Sequence, residues 1–498
     1  MRLALVLGLV GRLLRVFSPA FLPPALLALH DGANRMALEF VAAGAAAFAF
    51  GTLMGRRRIR AVSFRRSEAL AVVSFTWLVV AAFAAVPYLM VGLSPVDALF
   101  ESMSGFTTTG ATIFTEQHWQ FDRALFLWRA MTQWFGGVGV IALFIVVLPH
   151  LGVGGRQLFF AEASFAPSES IAPKIQGVAT RIWILYVFLT LLQTSLLFLM
   201  AGMPFFDSAC HALTTMPAGG FSPNPASIAG YADPAAFPGY DPAIGEWIIT
   251  VFMLLAGMSF PLLWVGLVGR PWKLFQDGEA RFYMLATLLG AAGVALVLAQ
   301  GLPDLAGVRT AMFQCASLIS STGYASTDYN LWADGARVML IFVMLVGGCA
   351  GSAAGGAKSV RHLIALKYLY RELTRVLHPR AVIPLRHKAA VIPEAILRAV
   401  LTVVALYLAG YLLCGTILVL LGADLVTGFT ASLACLGNIG PGFGPAGPMG
   451  SFGGFDSASK LVLVVAMWCG RLEVVTVLAL LHPDVLRKIR WRGQTHPM

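Results

Sequence analysis

Charge is the scarcest property of this 498-residue chain: Asp, Glu, Lys and Arg make up 12% of it, against about 25% in an ordinary soluble domain. With 58% hydrophobic residues alongside, that scarcity excludes a soluble globular protein. It also excludes a disordered chain, because a composition so apolar and so poorly charged buries or aggregates instead of staying solvated. Cysteine is nearly as rare. The six (Cys210, Cys315, Cys349, Cys414, Cys435 and Cys469) lie in apolar or Gly-rich segments without CxxC or CxxH pairing, so neither a disulfide framework nor a zinc site is indicated. No nucleotide-binding signature, HExxH or G-x-S-x-G arrangement stands out, and His, Asp and Glu are scattered; the sequence does not read as an enzyme.

What the chain has in abundance is long apolar runs. Segments of spanning length occur near 4–29, 37–54, 69–92, 124–148, 182–203, 245–268, 282–302, 336–357, 394–421 and 458–481. They predict an all-α polytopic membrane protein with almost nothing left for an extramembrane domain. The run to Leu29 follows Arg2, Arg12 and Arg15 without a small-residue cleavage signal and reads as a retained first span. Ten spans put both termini on one side. Arg56, Arg57, Arg58, Arg60, Arg65 and Arg66 fall in one connection on that side, and Arg361, Lys367, Arg371, Arg375, Arg380, Arg386 and Lys388 in another. The tail adds Arg487, Lys488, Arg490 and Arg492, whereas the opposite face has Arg35, Arg123, Arg309, Arg337 and Lys460. By the positive-inside rule both termini are cytoplasmic. The net charge of +11 is thereby explained as orientation signal, and no separate basic module points to nucleic acid.

Four short segments share one plan: DALFESMSGFTTTG (97–110), DSACHALTTMPAGG (207–220), TAMFQCASLISSTG (310–323) and TGFTASLACLGNIG (427–440). Each starts with Asp or Thr and reaches a glycine 13 positions later, between two long apolar runs on the outer face. Asp97, Asp207, Thr310 and Thr427 suit the N-cap of a helix, and the apolar or small residues that follow make about two turns, too few to span. Gly110, Gly220, Gly323 and Gly440 can take the positive φ angles that turn successive carbonyls toward one axis. Helix C-termini carry partial negative charge, so four of them aimed at one centre favour a cation. The glycines lie 110, 103 and 117 residues apart. Four pseudo-fourfold helix–pore-loop–helix units around one central pore follow, with an extra N-terminal pair of helices.

At these residues the sequence resembles the Trk/Ktr/HKT superfamily of potassium transporters, and within it the TrkH type, over essentially the whole chain. The pieces that carry the resemblance are FTTTGAT (106–112), GGFS (219–222), STGY (321–324), GNIGPGFG (437–444), GGCAGSAAGGAK (347–358) and GRLEV (470–474). The resemblance implies a two-helix extension at 1–66 and pore units at 67–150, 151–270, 271–380 and 381–498. It implies an ion filter formed by Thr108, Thr109 and Gly110, Ala218, Gly219 and Gly220, Ser321, Thr322 and Gly323, and Asn438, Ile439 and Gly440. Carbonyls there replace the hydration shell of K⁺, which is both cargo and bound ion. Each loop has one filter glycine instead of a TVGYG run, and Pro217 and Ala218 in the second loop and Asn438 with Pro441 in the fourth break the symmetry, which implies looser discrimination.

Two stretches lie beneath the filter in this reading. Gly347, Gly348, Gly351, Gly355 and Gly356 bias residues 347–357 toward unwinding; the alternatives are close helix packing by small residues or, by the resemblance, an intramembrane gating loop ending at Lys358. Arg471 lies within the last apolar run, where a charge must be paired or face water. It is either a structural ion pair with a neighbouring helix or an electrostatic barrier in the pore; Glu473 is badly placed to pair with it. Glu101 is either a source of negative potential at the outer mouth or a helix-end partner, His211 reads as a satisfied packing residue in preference to a proton sensor, and Trp119, Trp128, Trp134 and Trp247 read as interface anchors. The function implied is potassium uptake across a bacterial inner membrane, driven by the membrane potential. The implied partners are a second copy in a homodimer, a cytosolic TrkA-type nucleotide-binding regulatory subunit and the lipid bilayer, with no nucleotide site in this chain. A Na⁺-coupled or weakly selective monovalent-cation pore and a Kdp-like channel subunit remain alternatives.

Overall fold

Backbone inside a membrane must satisfy its own polar groups, which long apolar sequence does most simply as helix. A computed structural model of the chain describes residues 2–56, 66–147, 172–299, 302–387 and 390–487, and its regular structure is almost wholly helical. The strand pairing among the described residues is a small hairpin, Arg386–His387 against Ala390–Val391. Six helices are long and apolar enough to cross a membrane, and two bent pairs bring the total to as many as eight among the described residues. Large side chains such as Leu191, Phe198, Leu289, Phe342, Leu412 and Leu420 stay exposed on their outer faces, as lipid contact allows. The basic residues Arg57, Arg58, Arg60, Arg65, Lys388, Lys488, Arg490 and Arg492 lie outside the described residues.

The N-terminal pair is Leu3–Phe17 continued through a 3₁₀ turn to Leu22–His30, then Asn34–Gly55. The two pack through small residues: a β-carbon on Gly11 would lie 2.5 Å from Cβ of Met54. The pair is pinned to the rest at both ends. Arg2 grips Glu68 at 2.6 Å and Arg123 grips Asp31 at 2.5 Å. The Arg123 guanidinium holds the Asp31 carboxyl below its usual range.

The remainder repeats long helix, short helix, loop, long helix. The long first members are Arg66–Ala84 with Val86–Met90, Ala172–Leu199, Gly278–Ala299 and Glu394–Leu420. The short helices are Pro95–Phe106, Phe205–Thr215, Leu305–Ile319 and Leu425–Leu436. They run 12, 11, 15 and 12 residues, three to four turns where two were expected. Their N-caps also differ from expectation. Ser94, Asp304 and Asp424 accept the orphan backbone N–H groups of Asp97, Gly307 and Thr427, and Pro204 opens the second helix. Asp97, Asp207, Thr310 and Thr427 therefore sit inside the helices they were expected to start.

Three of the expected straight spans are interrupted. The 245–268 run is Pro242–Ala256 and Phe260–Leu267, bent by 111° at a break where Pro261 cannot continue the preceding helix. The 458–481 run is Ser457–Leu472 and Val474–Leu481, bent by 105° at Glu473, whose φ is 65°. The 336–357 run is helical only over Asp334–Val346. Among the tryptophans, Trp128 is not an interface anchor: it is buried, stacks on Phe21 with ring centres 4.3 Å apart, and donates to the Ala84 carbonyl.

Candidate functional site

The four short helices end in the same way. The N–H of Thr109, Gly219, Thr322 and Ile439 reaches back five residues to the carbonyl of Ser104, Thr214, Ser317 and Ala434 at 2.8–2.9 Å. Inside each of those bonds a second one closes from Thr108, Ala218, Ser321 and Asn438 to the carbonyl three residues earlier. This is the paired closure of a Schellman helix end, which requires a left-handed residue at its turn. Thr108, Ala218, Ser321 and Asn438 supply it with φ of 49°, 58°, 57° and 50°. For residues with a β-carbon that conformation costs about 1–2 kcal/mol, least for Asn, and persists because the surrounding structure fixes it. Two residues on, Gly110, Gly220, Gly323 and Gly440 are left-handed again, with φ from 76° to 106°.

The glycines also show how the loops meet. A β-carbon on Gly110 would strike the carbonyl oxygen of Gly219, one on Gly220 that of Thr322, and one on Gly323 that of Ile439. On Gly440 it would approach the carbonyl oxygen of Thr109 to 2.8 Å. Each glycine thus abuts the carbonyl just before the next loop's glycine, and the fourth returns to the first. The four loops close a ring in chain order, with four carbonyl oxygens and four helix C-termini about one centre. Such a centre carries concentrated negative potential without an ionised side chain, which suits a monovalent cation stripped of part of its water.

Polar side chains tie the ring to its surroundings. The Asn438 amide donates to Thr109 Oγ1 at 2.9 Å and to the Met467 carbonyl at 3.0 Å, joining the fourth loop to the first and to the last long helix. His211 bonds the Asp207 carbonyl and Ser222 Oγ at 2.7 and 3.1 Å, as a satisfied packing histidine should. Glu101 has three partners, accepting from the Ile113 N–H and the Thr112 hydroxyl and pairing with Arg129 at 2.8 Å. Arg129 is a residue that pattern reading passed over. It lies in the apolar helix Arg123–Val147, is 2% exposed, and bonds the Ser222 carbonyl and Thr112 Oγ1. The rings of Phe114 and Phe221 lie 4.3 and 4.2 Å from its guanidinium carbon. Its one sequence signal is a charge inside an apolar run.

Below the ring, residues 347–358 are not helical. Gly347, Gly351, Gly356 and Lys358 take φ of 70°, 73°, 78° and 70°. The segment is held by backbone bonds to the break in the 242–267 helix pair: Cys349 N–H to the Gly257 carbonyl and Phe260 N–H to the Gly351 carbonyl, at 2.8 and 3.0 Å. Gly355 N–H donates to Ser321 Oγ at 2.6 Å, so the segment touches the third loop directly. Lys358 Nζ donates to the Ala354 carbonyl. Gly348 accepts from the Ser359 N–H that opens Ser359–Leu377. Arg471, in the last turn before the Glu473 bend, donates to the Ala353 carbonyl at 2.9 Å, and its Nε has no partner among the described residues. Glu473 turns instead to Arg361 at 2.5 Å. The expected filter and gate residues therefore lie together, the former in the ring and the latter directly beneath it.

A family model described as TrkH, cation transport protein, matches residues 37–484. The Trk system potassium uptake protein TrkH of Halomonas elongata is 36% identical over 497 residues, covering 98% of this chain and 100% of that protein. That of Escherichia coli K12 is 33% identical, covering 96% and 98%. The crystal structure of the potassium transporter TrkH from Vibrio parahaemolyticus superposes with a TM-score of 0.86 at 31% identity, covering 99% and 100% of the two chains.

Proposed function

The chain belongs to the TrkH family of cation transport proteins, and on that premise we propose that it takes up potassium ions across a bacterial inner membrane through the four-loop ring. The observation that supports this most is the ring itself, in which each glycine abuts the carbonyl of the next loop and the last abuts the first. Carbonyls of Thr109, Gly219, Thr322 and Ile439, with those of Thr108, Ala218, Ser321 and Asn438 beside them, replace water around K⁺ as it passes. The membrane potential drives the ion inward with about 2.3 kcal/mol per charge per 100 mV.

In the same reading the 347–358 segment closes the path below the ring, and Arg471 and Lys358 set a positive barrier there. Both termini and the basic Ser359–Leu377 helix face the cytoplasm, where a TrkA-type nucleotide-binding subunit acts on a homodimer of this chain. The test is growth of a potassium-uptake-deficient bacterium at low external K⁺, with partner supplied, and ⁸⁶Rb⁺ or K⁺ flux into vesicles. The parent supports growth and flux, and Gly323→Ser reduces both. A parent that gives neither refutes the reading, and Na⁺ carried as readily as K⁺ points to the weakly selective alternative.

A further inference from the structure

The second loop differs from the other three at the residue just before its ring glycine. Where they carry Thr109, Thr322 and Ile439, it carries Gly219. Gly219 is not among the left-handed residues, so its backbone alone does not demand glycine. The space does: a β-carbon there would lie 2.5 Å from both Cδ and Oε1 of Gln133. Gln133 reaches in from the Arg123–Val147 helix, fully buried. Its Nε2 donates to the Gly219 carbonyl at 2.8 Å and its Oε1 accepts from the Phe221 N–H at 3.1 Å. A carbonyl only accepts and a backbone N–H only donates, so these partners fix which way the amide points.

In the first and third loops the hydroxyl at this position is paired with one two residues earlier, Thr107 with Thr109 at 2.7 Å and Ser320 with Thr322 at 2.8 Å. The second loop has Pro217 and Gly219 at those places and can form no such pair. We propose that Gln133 is a specificity-determining residue that stands in for the missing side chain of the second loop, filling its space and holding the Gly219 carbonyl. The proposal rests on the reading that the ring conducts potassium. Among the described residues no side chain donates to the carbonyls of Thr109, Thr322 or Ile439. The Gly219 oxygen thus shares its lone pairs between the ion and a protein donor, and its direction is fixed by a helix outside the loop. A carbonyl so restrained yields least toward a smaller ion, which is how one residue sharpens discrimination against Na⁺.

Gln133 and Gly219 then form a reciprocal pair, and size and bonding can be separated. Gln133→Met keeps the bulk and removes both bonds; Gln133→Ala empties the space. In the full-length protein with its partner present, ⁸⁶Rb⁺ uptake under Na⁺ competition is the readout, normalised to the amount of each variant recovered from membranes. Gln133→Met is expected to keep uptake and lose about threefold to tenfold in K⁺ over Na⁺ discrimination, the worth of the one bond that reaches the Gly219 carbonyl. Gly219→Thr alone is expected to abolish uptake. Combined with Gln133→Ala it regains uptake; combined with Gln133→Met it does not. This order is opposite to that of simple stability, since alanine leaves the larger cavity. Parent-like discrimination in Gln133→Met, or failure of Gln133→Ala to restore Gly219→Thr, overturns the proposal. A parent that moves no K⁺ refutes the uptake premise instead, a separate result.

Discussion

Arg471 holds the Ala353 carbonyl at 2.9 Å, so a buried guanidinium of the Ser457–Leu472 helix grips the glycine-rich 347–358 segment by its backbone. A hydrogen bond from a charged donor contributes about 1.5–3 kcal/mol. Arg471→Gln is therefore expected to raise resting ⁸⁶Rb⁺ flux by about tenfold to a hundredfold if the bond keeps the segment shut. Flux at the parental level would show that the segment is held by its other contacts.

The segment itself is the second target. Removing residues 352–354 takes away both the carbonyl that Arg471 grips and the one that Lys358 grips. Basal flux should rise in vesicles that hold this chain alone. Unchanged flux would mean that these residues pack the interior without obstructing it.

The four ring glycines should not be equally sensitive to alanine. On Gly110, Gly220 and Gly323 a β-carbon overlaps the next carbonyl oxygen, whereas on Gly440 it stands 2.8 Å off. All four substitutions are expected to lower K⁺ uptake, and Gly440→Ala least. Finding Gly440→Ala the most damaging would contradict the packing of the ring.

Arg129 and Glu101 are 2% and 0% exposed and paired at 2.8 Å. Removing one partner of a buried pair typically costs about 3–5 kcal/mol, because the other charge is left without its counterpart. Arg129→Met should lower the thermal midpoint in detergent sharply, and Arg129→Met with Glu101→Gln should recover much of the loss. Equal losses in the single and double variants would place the effect in the Phe114 and Phe221 contacts instead.

The loops were legible in sequence because each needs a glycine where its backbone turns left-handed, and glycine is the residue a pattern can see. Helix starts were less legible. Several polar residues compete for each cap, and Asp97, aligned by the repeat, is used instead to pair with Lys460 at 2.6 Å, 363 positions away. The bend at Glu473 is poorly marked in sequence, since no Pro stands there and Gly470, Arg471 and Glu473 interrupt the apolar run without dictating a turn; a distant partner, Arg361, holds Glu473. Trp128 is apolar enough for either lipid or core, and distant neighbours, the Phe21 ring and the Ala84 carbonyl among them, decide between the two. Arg129 and Gln133 stand out as polar residues in an apolar run, but their partners lie in loops that close only when the chain is folded.

The ring is traversed in chain order, with no two quarters alike, and this sets the grain at which the protein can change. In a channel assembled from four identical chains, one codon alters every quarter together. Here a codon alters a single wall and leaves three untouched. Among the described residues neither the Gln133 bond to Gly219 nor the Asn438 bridge to Thr109 recurs at another loop, and each serves one seam. Having the four loops in one chain therefore allows the ring to be adjusted in fourths, so that a change too severe to be tolerated four times over can be carried once.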